Sequence, residues 1–153
     1  MRQYSPIFIL FNQKEQNMKR NATAVWKGSG KEGAGVLDTQ SGAIKGAQYS
    51  YKTRFEDGVG TNPEELMAAA HAGCFSMKLS FVLGAAGFTP EEITTECYIS
   101  LENGTITKSE LVTRAKVPGI DGAKFQECAN EAKATCPVSK AYSMEVSIDA
   151  TLI

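Results

Sequence analysis

Residues 61–77 read TNPEELMAAAHAGCFSM, and this stretch decides the fold because it predicts a long apolar helix. Asn62 is suited to cap the helix, Pro63 to its first turn, and Glu65 to close a capping box. Five of the six residues from 68 to 73 are Ala or Gly, so a second helix can approach closely. The predicted helix ends near Gly87, and its predicted apolar stripe is Leu66, Ala70, Gly73/Cys74, Met77 and Phe81.

A second long helix is predicted after Pro118-Gly119-Ile120, with Asp121 as its cap and Pro137 at its end. Its apolar face is formed by Phe125, Cys128, Ala129, Ala132 and Cys136. If both helices pack on one sheet, Cys74 and Cys136 lie in the same layer. An encounter of the two thiols is therefore plausible, and the distance between them decides whether they can bond.

The remaining segments predict strands that form an antiparallel sheet packed on one side. The strand-like stretches are 22–27, 34–39, 46–55, 96–117 (interrupted at the hairpin dipeptide Asn103-Gly104) and the alternating apolar residues 146–152. A short helical turn is expected at 89–92. Strands alternating with two long helices indicate a single α+β domain.

Composition excludes several functional classes. The 153 residues suit one domain, and 16 basic against 17 acidic residues leave a formal net charge of −1, which argues against a nucleic-acid partner. One histidine excludes a multi-histidine metal site within a chain, and the four cysteines contain no C-x-x-C pair. The apolar run 7–11 is too short to insert into a membrane. Without a targeting signal, a cytoplasmic location with reduced cysteines is expected.

The first 18 residues are expected to form a poorly ordered leader that precedes a single domain over 19–153. Met18 is an alternative initiator. The other interpretation of the leader is an apolar segment that docks on a partner chain.

Two signatures make the chain resemble a known family. Residues 54–66 (RFEDGVGTNPEEL) and 69–77 (AAHAGCFSM) carry the first, and residues 117–121 (VPGID) and 136–139 (CPVS) the second. Together they closely resemble the family of osmotically inducible proteins and organic hydroperoxide resistance proteins, the OsmC/Ohr family. Residues 22–28 (ATAVWKG) look like the OsmC branch. The resemblance covers roughly residues 19–152.

This resemblance implies a fold in which antiparallel sheets surround two long central helices in an intertwined homodimer, with the active sites at the subunit interface. It implies a thiol-dependent peroxidase that reduces organic hydroperoxides to alcohols without a metal or other cofactor. The reductant it implies is a dithiol, with lipoylated proteins favoured in the Ohr branch.

The resemblance also implies roles for four residues. Cys74 matches the peroxidatic cysteine and Cys136 the resolving cysteine. Arg54 matches the arginine beside the reactive thiol, and Glu64 the acid that holds this arginine. Glu64 and Cys74 are ten residues apart, about 15 Å along a straight helix. We therefore expect a helix break near Ala70–Gly73, a loop that folds back or, as the favoured possibility, movement of the Arg54 loop.

The other candidate residues are expected to be structural. Cys97 and Cys128 have no adjacent cation and are interpreted as packing residues. His71 is interpreted as a structural histidine, or one that supports the site indirectly, rather than a ligand or general base. Two other functions of the same fold compete with a peroxidase: a non-catalytic module that binds a lipophilic ligand, and a thiol redox sensor.

Overall fold

Two three-stranded sheets and four helices form the chain in the computed structural model, which describes residues 18–153. The strands are β1 (Ala22–Lys27), β2 (Ala34–Thr39), β3 (Ala47–Ser50), β4 (Glu92–Glu102), β5 (Thr105–Lys116) and β6 (Glu145–Leu152). The helices are α1 (Tyr51–Phe55), α2 (Pro63–Ala85), α3 (Gly122–Thr135) and α4 (Pro137–Ala141). This confirms the α+β class. The expected leader, residues 1–18, lies outside the described residues except for Met18.

The predicted ends of α2 are confirmed. The Asn62 side chain accepts a hydrogen bond from the Glu65 backbone N–H at 2.8 Å, and Pro63 occupies the first turn. The Glu65 carboxylate accepts instead from the Thr61 hydroxyl at 3.1 Å, so the expected capping box does not close. At the other end Gly87 adopts a positive φ of 90°, which terminates the helix without strain.

The face of α2 that meets the core differs from the predicted stripe. The buried residues of α2 are His71, Phe75, Leu79, Val82 and Leu83. Met77 and Phe81, from the predicted stripe, are 65% and 69% exposed in the chain. Apolar residues lie on all sides of this helix, so their spacing could not identify the buried face. Helix α2 is long and apolar enough to cross a membrane, but core helices of soluble proteins share these properties. In the structure α2 packs on β4 and α3.

The second sheet has the order β4-β5-β6 and carries the core. Strands β4 and β5 form the predicted hairpin, with Asn103 and Gly104 at φ values of 50° and 77°. Strand β6 pairs with β5 in parallel, so the prediction of a purely antiparallel sheet is wrong. The physical reason is the connection, because α3 and α4 form a crossover that returns the chain in the same direction.

The segment between α2 and β4 contains no helical turn, so the expected turn at 89–92 is wrong. The Glu91 backbone N–H donates to the carbonyl of Lys116 at 2.8 Å, which already places this segment beside the sheet. After β5, Asp121 caps α3 by accepting from the Lys124 N–H at 2.8 Å, as predicted. The predicted face of α3 is buried, and Pro137 both follows its end and begins α4.

The first sheet is an antiparallel meander in the order β1-β2-β3. The predicted strand 46–55 stops at Ser50 because Ser50 and Thr53 cap each other reciprocally and start α1. Every residue of β1 is exposed. Among the described residues, the core cluster contains no member from this sheet.

Candidate active site

The structure brings Cys74 and Cys136 into contact, which confirms the predicted encounter. Their Sγ atoms are 3.2 Å apart and are not joined by a disulfide. Cys74 lies on α2, and Cys136 ends α3 and precedes α4. Packing of α2 against α3 therefore joins two sulfurs that are 62 residues apart in sequence.

Cys136 precedes the first turn of α4, and polar groups of that turn affect its pKa. Burial raises the pKa of Cys136, but the backbone N–H of Ser139, the Cys74 thiol, the Ser139 hydroxyl and the backbone N–H of Val138 together lower it below the ordinary value of a thiol. These donors stabilise a thiolate. The turn that begins α4 thus makes Cys136 easier to ionise.

The groups around Cys74 in its own chain do not favour a thiolate. Burial is the largest cause and raises the pKa of Cys74, the Val138 backbone N–H lowers it, Cys136 raises it again, and Lys78 has the smallest effect and lowers it. The outcome is a pKa above the ordinary value. A thiolate on Cys74 therefore requires an additional cation close to its sulfur.

Arg54 and Glu64 form an ion pair at the start of α2. Arg54 Nη2 lies 2.6 Å from Glu64 Oε1, and Arg54 Nε donates to the two carboxylate oxygens at 3.0 and 3.3 Å. The guanidinium also lies 5.4 Å from the centre of the Phe55 ring. Such a multidentate pair fixes the orientation of the arginine.

The structure does not bring Arg54 to Cys74 of the same chain. Helix α2 is continuous from Pro63 to Ala85, so the expected helix break near Ala70–Gly73 is wrong. Glu64 therefore stays about 15 Å from Cys74 along the helix axis, and it holds Arg54. In its own chain Cys74 has Lys78 as the cation that lowers its pKa.

His71 lies behind the thiol pair and is completely buried. Its Nδ1 is 2.6 Å from Ser109 Oγ, and its Nε2 is 2.7 Å from Ser139 Oγ. The Tyr142 ring packs edge-on against the imidazole, with centroids 5.2 Å apart. Burial lowers the pKa of His71. The expectation of a structural or supporting histidine is consistent with this environment.

The sequence did not single out Ser109, Ser139 or Tyr142 as neighbours of the histidine. Ser139 belongs to the CPVS signature, which is the one signal that could have identified it. Ser109 stands in β5 and Tyr142 after α4, where neither spacing nor composition indicates a contact with α2.

The two remaining cysteines have different surroundings. Cys128 is buried in the core, as predicted for a packing residue. Cys97 has its Sγ 3.3 Å from Ser109 Oγ and 3.9 Å from His71 Nδ1, so it packs at the edge of the core and also belongs to a polar cluster. Burial raises the pKa of both thiols.

A metal site is not evident: between residues 18 and 153, no group of three or more His, Cys, Asp or Glu side chains could hold an ion. The fold and this site define an α+β protein with two cysteine sulfurs in contact beside a buried histidine.

The sequence model described as "OsmC-like protein" matches residues 55–151. The chain belongs to this family. It is 46% identical over 134 residues to "Peroxiredoxin OsmC" of Escherichia coli, which covers 85% of this chain and 94% of the relative. It is 32% identical over 99 residues to an "Organic hydroperoxide resistance protein" of Xanthomonas axonopodis pv. citri, covering 62% of this chain and 68% of the relative.

A solved structure supports the same fold. The OsmC-like protein of Mycoplasma pneumoniae superposes with a TM-score of 0.71 at 13% sequence identity, and the match covers 90% of this chain and 99% of that chain. The OsmC/Ohr resemblance and the OsmC-like fold are thereby confirmed.

Burial of the sole histidine predicts a loss of stability in mild acid. Because the pKa of His71 is lower in the folded protein, the unfolded chain binds the extra proton more readily below pH 6.5. The free energy of unfolding should fall by up to about 1.4 kcal/mol per pH unit until the folded-state pKa is reached.

Urea unfolding at pH 7.5, 6.5 and 5.5, at one protein concentration, measures this dependence. The variant His71→Gln should be less stable overall but should show a flatter dependence over the same interval. An equally steep dependence in His71→Gln would show that other groups are responsible.

Proposed function

We propose that the protein is a two-cysteine peroxidase that reduces organic hydroperoxides to alcohols in defence against oxidative and osmotic stress. The observation that carries this proposal is the 3.2 Å contact between Cys74 Sγ and Cys136 Sγ. Membership of the OsmC-like family and the relatives named peroxiredoxin and organic hydroperoxide resistance protein support it. We expect the protein to be located in the cytoplasm, because thiols are kept reduced there.

The reaction uses the two sulfurs in turn. The Cys74 thiolate attacks the O–O bond of ROOH, which forms a sulfenic acid and releases an alkoxide that takes up a proton to give ROH. The Cys136 sulfur then attacks Cys74 Sγ, forming the disulfide and releasing water. An external dithiol, free or carried on a lipoylated protein, reduces this disulfide by thiol exchange. The cycle requires no metal or other cofactor.

A homodimer is the second part of the proposal, because two apolar surfaces are left uncovered by the residues from 18 to 153. The first is the exposed face of α2 with Met77 and Phe81, and the second is the exposed strand β1 with Val25 and Trp26. Exposed apolar faces of this kind are typical of interfaces. A second copy that covers both would intertwine the two chains.

Dimerisation would also supply the additional cation that a thiolate on Cys74 requires. Ala69, Ala70 and Gly73 are exposed on α2, so two copies of this helix can cross most closely there. In a two-fold symmetric antiparallel crossing centred on 69–70, Glu64 faces the partner near position 75, next to Cys74. We infer that the Arg54–Glu64 pair of one subunit stabilises the Cys74 thiolate of the other. This replaces the favoured expectation that the Arg54 loop moves.

The surroundings of Arg54 favour an organic peroxide over hydrogen peroxide. A small pocket of about 130 Å³ beside Arg54 is lined by aromatic rings. The rings belong to Trp26, Tyr49, Tyr51 and Phe55. An apolar substituent of the peroxide can bury surface against these rings, while the guanidinium contacts the peroxide oxygens.

Turnover of cumene hydroperoxide with a dithiol tests the proposed activity. We expect Cys74→Ser to reduce turnover to the background. Cys136→Ser should consume one peroxide per site and then stop, and Arg54→Met should lower kcat/KM by about 10²-fold. A lipophilic-ligand module or a redox sensor would show no turnover in the native chain. Unchanged turnover in Cys74→Ser would contradict the mechanism.

Mixed dimers test whether Arg54 acts across the interface. Co-expression of Cys74→Ser with Arg54→Met chains should restore about a quarter of native activity, since half of the dimers contain one complete site. Co-expression of Cys74→Ser with Cys136→Ser is the matched control. It should restore nothing, because both sulfurs of a pair must lie on one chain. Failure of the first mixture to exceed the mean of its parents would place Arg54 and Cys74 in the same subunit.

A further inference from the structure

A row of hydrogen-bonding side chains leads from the interior of the protein to the turn that begins at Cys136. It consists of Ser109, His71 and Ser139, with oxygen-to-nitrogen distances of 2.6 and 2.7 Å on the two sides of the imidazole. Ser109 and His71 are completely buried. Three elements, β5, α2 and α4, contribute one member each, so the row exists only in the folded chain.

The direction of the hydrogen bonds follows from the chemistry of the members. Ser139 follows Cys136 by three residues in the first turn of α4, and its hydroxyl lowers the pKa of the Cys136 thiol, which is the effect of a donor directed at the thiolate. The Ser139 oxygen is then free to accept from His71 Nε2–H. A neutral imidazole has one N–H, so its Nδ1 accepts from the Ser109 hydroxyl. Every donor in the row therefore points toward Cys136.

We propose that His71 is a positioning residue which, through Ser139, holds Cys136 as a thiolate ready to attack the oxidised Cys74. This inference rests on the proposed function, in which Cys136 is the resolving cysteine. The Cys136 thiolate attacks Cys74 Sγ of the sulfenic acid, the S–S bond forms and the S–O bond breaks. The departing hydroxide takes up the proton that Cys136 has lost and becomes water, so the step needs no further reactant.

Other titratable groups face the row within the described part of the chain. Cys74 comes from α2 and has its Sγ 3.2 Å from Cys136 Sγ, and Cys97 from β4 contacts Ser109. Tyr142 packs on His71 and donates its hydroxyl to the Met67 carbonyl at 2.9 Å. Tyr142 thereby fixes the plane of the imidazole. Its own pKa is raised, by burial first and by Cys97 and Cys136 next, so it stays neutral near pH 7.

The experiment measures the pH dependence of Cys136 alkylation in the full-length, reduced Cys74→Ser protein, with iodoacetamide and peptide mass analysis to assign the site. Ser139→Ala removes the donor hydroxyl and should raise the midpoint of alkylation by about one pH unit. His71→Leu should raise it similarly. His71→Gln keeps an N–H donor near the position of Nε2 and should restore most of the shift.

Ser76→Ala is the matched control, because Ser76 also lies on α2 and donates to Thr95 at 2.8 Å, outside the row. Its midpoint should equal that of the parent. Equal midpoints in Ser139→Ala and the parent would overturn the proposal, and so would an equal shift in Ser76→Ala. Ser139 lies on a partly exposed turn, so the variant Ser139→Ala should fold and keeps the proposal testable if His71→Leu does not fold. Alkylation needs no peroxide, so it remains informative even if turnover is absent.

Discussion

Contact between the Cys74 and Cys136 sulfurs is the constraint on which the site depends. The 3.2 Å separation requires α2 and α3 to pack side by side on the second sheet, and it requires α3 to end where Cys136 can turn toward α2. The buried apolar residues Phe75, Leu79, Phe125 and Ala132 hold the two helices in this arrangement. The hydrophobic core therefore does more than stabilise the fold, because it also sets the distance over which a disulfide can form.

Burial of the thiols opposes their ionisation, and the two cysteines overcome it in different ways. Cys136 obtains donors from its own chain: two backbone N–H groups and the Ser139 hydroxyl, which the buried His71 supports. Within its own chain Cys74 keeps a pKa above the ordinary value, mainly because of burial, and in the proposed dimer Arg54 of the second copy offsets this. This difference makes the proposed reaction depend on dimerisation. A second copy would cover the exposed apolar face of α2, and its Arg54–Glu64 pair would lie beside Cys74.

The residues of this chain show which features a sequence can indicate. Caps and turns were predictable because Asn62, Asp121 and Asn103-Gly104 act locally. Helical periodicity made an encounter of Cys74 with Cys136 plausible but did not establish it. The buried face of α2 was not predictable, since that helix is apolar on every side. Neither was the parallel pairing of β6, which depends on a crossover, nor the hydrogen-bond partners of His71, which come from β5 and α4. Roles for Cys74, Cys136, Arg54 and Glu64 came from family resemblance and not from pattern.

The most direct test of the central claim is a thiol map of the reduced full-length chain after one equivalent of cumene hydroperoxide per chain. Non-reduced digestion and mass spectrometry should identify one disulfide, between Cys74 and Cys136 of the same chain, with Cys97 and Cys128 still free. The 3.2 Å contact leads to this result because Cys136 is the thiol nearest to an oxidised Cys74. Oxidation of Cys97 or Cys128 instead, or a disulfide that joins Cys74 to another partner, would contradict the account.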